Sequence, residues 1–264
     1  MSQTLADAAG AVLRAAAPAD KVSLSEQAAA AWRAGALAAE GGARPPDRPA
    51  RPTRPLLKPP RDMPRRRAAG SDAGRIALLH ALAHIELNAI DLAWDLVARF
   101  GGGKPAEFLD DWVGVAAEEA KHFALLAQRL SALGVAYGDL PAHDGLWEAA
   151  QATANDLLAR LAVVPLVLEA RGLDVTPAMI ERLERFGDRD SAAILKIVYG
   201  DEIGHVAAGM RWFAWACALR QVEPVATYHA LVRAHYKGAL KPPFNFGARE
   251  AAGFGPLFYT ALAS

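Results

Sequence analysis

A single cysteine, Cys217, stands in 264 residues, so no intrachain disulfide can form and the chain reads as one folded in a reducing compartment. Net charge is absent too. Twenty-nine Lys and Arg balance 29 Asp and Glu, so overall charge favours no polyanionic partner. No run of 18 or more apolar residues announces a membrane span. The N-terminus has no basic stretch followed by an apolar core, so no secretory signal is expected, and a cytoplasmic location is. Cys217 lies in an apolar helical segment and reads as a core residue rather than a nucleophile. What the chain does have is 53% hydrophobic residues, enough for a full core in one large domain.

The chemistry lies in a recurrence. Glu-x-x-His occurs as Glu119/His122 and again as Glu202/His205. Each copy follows a lone glutamate, Glu86 or Glu169, by the same 33 residues. With roughly one residue in twenty a glutamate, seven histidines would give well under one such pair by chance. Surface i,i+3 contacts on exposed helices are the competing explanation, and the helix faces argue against it. Glu86 shares its face with Leu79, Leu82, Ala83, Ala89, Ile90, Ala93 and Val97. Glu119 and His122 share theirs with Val115, Ala116, Phe123, Leu126, Leu130 and Leu133. Glu169 follows Leu158, Ala162, Pro165 and Leu166. Glu202 and His205 lie with Leu195, Val198, Val206, Gly209, Trp212 and Phe213. All six candidates are expected to point inward. Four buried carboxylates would be prohibitively costly without protons or cations, and two divalent metals supply the compensating charge. Carboxylate oxygen with imidazole nitrogen suits iron or manganese. Four glutamates and two histidines in this order suit a metal pair inside a four-helix bundle.

The pattern divides the chain into residues 1–70 and 71–264. The alanine-rich residues 1–40 predict one or two short helices, one spanning Ser23–Gly35 with Ser23 or Ser25 near its start. Residues 41–70 hold Pro45, Pro46, Pro49, Pro52, Pro55 and eight arginines from Arg44 to Arg67, which predicts an extended arm laid on the bundle. The arm lacks aromatic residues, which disfavours RNA as its partner. Ser71 and Asp72 offer caps for a helix to Phe100. A second helix is expected from Pro105 to Leu133, and a connection over 134–145. A third runs from Leu146 to Arg171, with Pro165 as a kink, Gly172 as its stop and a start as late as Asn155 if the preceding stretch crosses the bundle. Thr176-Pro177 predicts a short helix to Phe186. Long and shorter helices are then expected over Asp190–Gln221 and Val225–Lys237, with an irregular tail from Lys241.

These residues resemble the ferritin-like diiron-carboxylate superfamily. The stretch from His80 to His205 is further similar to an uncharacterised bacterial ferritin-like family, the domain-of-unknown-function 455 family. The similarity lies in HALAHIELNAIDLAWD, EEAKHF, YGDLPAHDGLWE, LEARGLDVTP and YGDEIGHV, and in the tail PPFNFGAR. The resemblance implies an all-α, ferritin-like four-helix bundle with N-terminal helices, the Pro/Arg-rich arm and an extra C-terminal helix. It implies two metal ions, Fe/Fe first, with Fe/Mn or Mn sharing the same ligands. Glu86 and Glu169 would be terminal ligands, Glu119 and Glu202 bridging ligands, and His122 and His205 the nitrogen ligands. Asp201 and, less well placed, Glu118 would orient the histidines. Tyr199, one turn before Glu202, is a redox candidate with core packing as its simpler role.

The expected activity is oxidation or hydroxylation of an unknown small organic molecule with dioxygen, by a diiron oxidoreductase served by an electron donor and compatible with a homodimer. Ferritin-type iron oxidation and storage, and a metal-stabilised scaffold without turnover, share these ligands. His80, His84, Asn88, Asp91 and Asp95 form a second stripe on the first long helix, read as holding the arm or terminal segments. His143 and Asp144 lie in the connecting loop, with Asp144 the expected cap of the next helix. Trp94, Trp112, Trp147, Trp212 and Trp215 are expected in the core.

Overall fold

A computed structural model describes residues 3–63 and 71–263. Among these the chain is all-helical, with no β-strand beyond isolated bridges. The last part of the expected arm, residues 64–70, lies outside the described residues. The chain forms two compact units, Met1–Trp147 and Glu148–Ser264.

In the first unit, α1 (Leu5–Arg14) and α2 (Pro18–Arg33) are the expected short helices. Thr4 caps α1 by accepting from the Asp7 N–H. The start of α2 is earlier than Ser23 because Pro18 occupies its first position, where a missing N–H costs nothing. Ser25 is instead buried mid-helix. Its hydroxyl donates to the Ala116 carbonyl at 3.1 Å and accepts from Trp94 Nε1 at 2.7 Å. The long helix α3 (Asp72–Phe100) begins at Ser71, whose hydroxyl accepts from the Gly74 N–H. After a five-residue turn it packs against α4 (Ala106–Ala132), so the two run antiparallel. Helix α1 covers α3 and α2 covers α4. Helix α3 is long and apolar enough to cross a membrane, but 72% of its most apolar window is buried within the protein, as in a core helix.

The second stripe of α3 binds the N-terminal segments. Asp91, fully buried, takes Lys21 Nζ at 2.6 Å and an Arg51 nitrogen from the arm. Arg51 also donates to Asn88 Oδ1 at 2.6 Å. Asp95 pairs with Arg99, which reaches the Pro46 carbonyl at 3.2 Å. Backbone bonds fasten the arm elsewhere, from the Ala50 N–H to Leu13 O and from the Lys58 N–H to Ala142 O. Asp144 is ion-paired with Arg48 of the arm.

The second unit departs most from expectation. Helix α5 (Gly145–Ala152), across the unit boundary, stops before the bend at Thr153–Asn155. Buried Arg160 holds that bend by donating to Thr153 Oγ1 at 3.0 Å and to the Ala150 carbonyl at 2.7 Å. Asp156 then caps α6 (Leu157–Val163), close to the later start considered at Asn155. Pro165 does not simply kink the chain. It sits in a π-helical stretch, Val164–Glu169, that passes without a break into α7 (Ala170–Arg185). Gly172 therefore stops nothing, and Pro177 lies inside α7 rather than at the start of a new helix.

Backbone accounting explains how Pro177 and the π turn are accepted. Pro177 cannot donate to the Leu173 carbonyl one turn back, and Asn245 Nδ2 donates to that oxygen instead, at 3.1 Å. In the π stretch the Ala170 N–H reaches back to Pro165 O, and the Leu166 carbonyl receives the Tyr228 hydroxyl at 3.2 Å. The chain continues through α8 (Arg189–Arg220), capped by Asp188, and α9 (Pro224–His235). The tail is more ordered than expected and carries α10 (Phe246–Ala251) and α11 (Pro256–Tyr259), which pack on α7, α8 and α9. Trp94, Trp112, Trp147 and Trp212 are buried as expected, while Trp215 is half-buried; Cys217 is buried in α8.

Two stability effects follow. Asp91→Ala strands two cations against α3 and is expected to cost about 3–5 kcal/mol in chemical denaturation. Asn245→Ala is expected to cost about 1–3 kcal/mol, and less in a Pro177→Ala background, where a helical N–H again serves the Leu173 carbonyl.

Candidate metal centre

Each unit builds half of the recurring ligand pattern on its own helices. In the first, α3 presents Glu86 and α4 presents Glu119 and His122. All three are buried, and Glu119 and His122 expose no surface. Each offers a ligand atom within 4.8 Å of the others. His122 Nδ1 lies 3.4 Å from Glu86 Oε2 and 3.4 Å from Glu119 Oε2. The i,i+3 spacing sets Glu119 and His122 on one face of α4, and the antiparallel packing of α3 brings Glu86 beside them. Burial alone would lower the His122 pKa. Hydrogen bonds and charge from Glu119 and Glu86 outweigh it and raise the imidazole to about 10. A basic imidazole between two carboxylates is what a cation site looks like with a proton in place of the cation. Ala83 and Ala89, three residues either side of Glu86, and Ala116, three before Glu119, are also buried.

In the second unit, α8 carries Glu202 and His205 in the same relation, both buried, with His205 Nδ1 3.6 Å from Glu202 Oε2. Glu169 is half-buried as a residue, and its Oε2 is buried. It closes the π stretch, Val164–Glu169. Gly209 of α8 seats that stretch. A Cβ there would come within 2.6 Å of Pro165 Cβ, so only glycine allows this approach. Asp201 and Glu118 are half-buried. Tyr199 is half-buried and its hydroxyl accepts from Asn245 Nδ2 at 3.0 Å, which ties it to the tail.

Sequence reasoning found the stripe on α3 but missed its partners. Tyr137 donates to His84 Nδ1 at 2.8 Å, while His84 Nε2 faces the His143 carbonyl at 3.0 Å. Burial drives His84 down to about 4, so its ring is neutral and suits both bonds. His80 Nε2 accepts from the Gly138 N–H at 2.9 Å. The connecting loop is thus threaded onto α3 just above Glu86. The signal was the histidine pair one turn apart; nothing local marked Tyr137 as their partner.

An all-helical protein that buries two Glu-x-x-His pairs, one with a third carboxylate beside it, belongs by its donor set to the proteins able to hold metal ions. The chain matches the model of a family described as protein of unknown function (DUF455) over residues 14–260, and it belongs to that family. An uncharacterized protein of Haemophilus influenzae is 44% identical over 209 residues, which cover 77% of this chain and 72% of the relative. No solved structure matches.

Gly209→Ala is expected to destabilise the protein by about 1–3 kcal/mol through overpacking against Pro165. Thermal unfolding of the variant checks this, and an unchanged transition would show that the π stretch is not seated by this contact.

Proposed function

We propose that the chain is a ferritin-like, four-helix-bundle protein that holds a pair of metal ions, iron in both positions, and oxidises or hydroxylates a small organic substrate with dioxygen. The observation that carries the reading is the duplication itself. Glu119 with His122 and Glu202 with His205 are each buried side by side at nearly the same separation, on helices that the recurring 33-residue spacing already pairs with Glu86 and Glu169.

The donor set fits a pair of hard-to-borderline divalent ions. Glu86, Glu119 and His122 would serve the first half of the centre and Glu169, Glu202 and His205 the second. Four carboxylates match the charge of two divalent cations, and two neutral imidazoles complete the ligands. Bound ferrous ions would supply the electrons that reduce dioxygen. The protein's own contribution is to hold the carboxylates away from water, where pairing with a cation is strong, and to line the site with alanines that leave space beside the ligands.

Metal analysis of the full chain, purified without chelator, tests the reading. About two metal ions per chain, lost in both Glu119→Ala and His205→Ala, are expected, with dioxygen consumption after anaerobic Fe(II) loading. No metal after such loading would overturn it. Metal retained in His205→Ala but lost in Glu119→Ala would reduce the site to the first unit alone. Light scattering separates this from a storage shell, which would elute as a very large particle.

A further inference from the structure

A cavity in the Glu148–Ser264 unit has the chemistry of an anion site. It measures about 250 Å³ and is lined by Val167 and Arg171, on either side of Glu169, and by Asp174, Tyr236, Leu240, Lys241, Phe244 and Arg249 among others. Its charged lining holds three cations, Arg171, Lys241 and Arg249, against one carboxylate, Asp174. That carboxylate is already committed. Its oxygens take Arg249 Nε at 2.8 Å and Nη2 at 2.7 Å, the Asn245 N–H at 2.9 Å, and Arg171 at 3.3 Å.

Arg249 is the telling residue. It is 3% exposed, and three aromatic rings, Phe244, Phe254 and Tyr259, stand 4.4 to 5.2 Å from its guanidinium carbon. Asp174 consumes one edge of the guanidinium. The remaining nitrogen, Nη1, is buried and has no hydrogen-bond partner among the described residues. A buried charged donor without an acceptor is rare, because native proteins satisfy such groups with protein, water or ligand. Here the unmet donor belongs to a residue that lines a cavity with excess positive charge. Val167, Ala239, Leu240 and Phe244 give the lining apolar surface. A cavity of this size falls below the range of about 300–1,000 Å³ that suits drug-sized ligands, so the occupant is compact.

We propose that this cavity binds a small organic carboxylate, its oxygens held by Arg249, Arg171 and Lys241 and its short carbon chain resting on Val167, Leu240 and Phe244. A carboxylate supplies the acceptor that Nη1 needs and offsets the surplus cations, and the carbon chain uses the apolar floor. The inference stands whether or not the dimetal reading does, since none of the binding groups is a proposed metal ligand.

Calorimetric titration of the full chain with hexanoate tests it, with hexanol and inorganic phosphate as controls. One hexanoate site per chain is expected, at least about tenfold tighter than hexanol, the size of one charge-assisted hydrogen bond. Hexanoate binding no tighter than that of hexanol, or than that of inorganic phosphate, would overturn the proposal. Arg249 also supports the fold, so two exposed or half-exposed positions serve as probes. Lys241→Gln is expected to weaken hexanoate about tenfold, and Ala239→Phe, which fills the cavity, to abolish binding, both with unchanged circular dichroism and unfolding transition. Undiminished binding in the folded Ala239→Phe variant would place the ligand elsewhere and overturn the assignment.

Discussion

Ionised groups buried inside a helical interior are the constraint on which the rest of this structure depends. An isolated charge in such a place is too costly to keep, so each must be answered by an opposite charge or a dense set of hydrogen bonds. On α3 the demand is met twice on different faces. Asp91 is answered by Lys21 from α2 and by Arg51 from the arm, which fastens the N-terminal segments to the core helix. Glu86 is answered by His122 from α4, beside Glu119, and there the balance is of a kind that a divalent cation would complete. One helix thus carries both a structural charge cluster and a candidate metal cluster, and burial gives each its strength.

The same accounting governs the backbone. Pro177 removes a donor from a continuous helical rod, and the π turn draws the Ala170 N–H away from the Leu166 carbonyl. Side chains from distant segments serve the two carbonyls left behind. Tyr228 of α9 serves the Leu166 carbonyl and Asn245 of the tail serves Leu173. The tail motif PPFNFGAR acts through these contacts. Its asparagine completes α7, touches Tyr199 on α8 and meets Asp174, while its arginine clamps the same aspartate. A segment that reads as irregular is in fact what lets a proline-interrupted helix stay whole.

Much of the helical plan was legible in the residues. Ser71 before an apolar-periodic stretch, the glycines at 101–103 and Pro224 after α8 mark ends that lie within a residue or two of those found, because caps and breakers act locally. The stripe of His80, His84, Asn88, Asp91 and Asp95 was legible as a fastening surface for a similar reason, since polar residues at helical spacing on a core helix need partners. The failures are equally specific. Gly172 and Pro177 look like a helix end and a helix start, but their local preferences were overridden by Asn245, some seventy residues on.

By itself the sequence determined that the chain would be helical, that it could hold no internal disulfide, and that Glu86, Glu119, His122, Glu169, Glu202 and His205 would be the residues of interest. Composition, periodicity and spacing are properties of the chain alone, and the matched 33-residue intervals need no coordinates to be seen. Only the tertiary structure decided which carboxylates are fully buried, that Gly209 makes room for Pro165, and that Arg249 keeps one nitrogen unanswered beside a cavity. Those facts depend on contacts between segments far apart in sequence, and the energy of such contacts is set by packing and desolvation that no local pattern encodes.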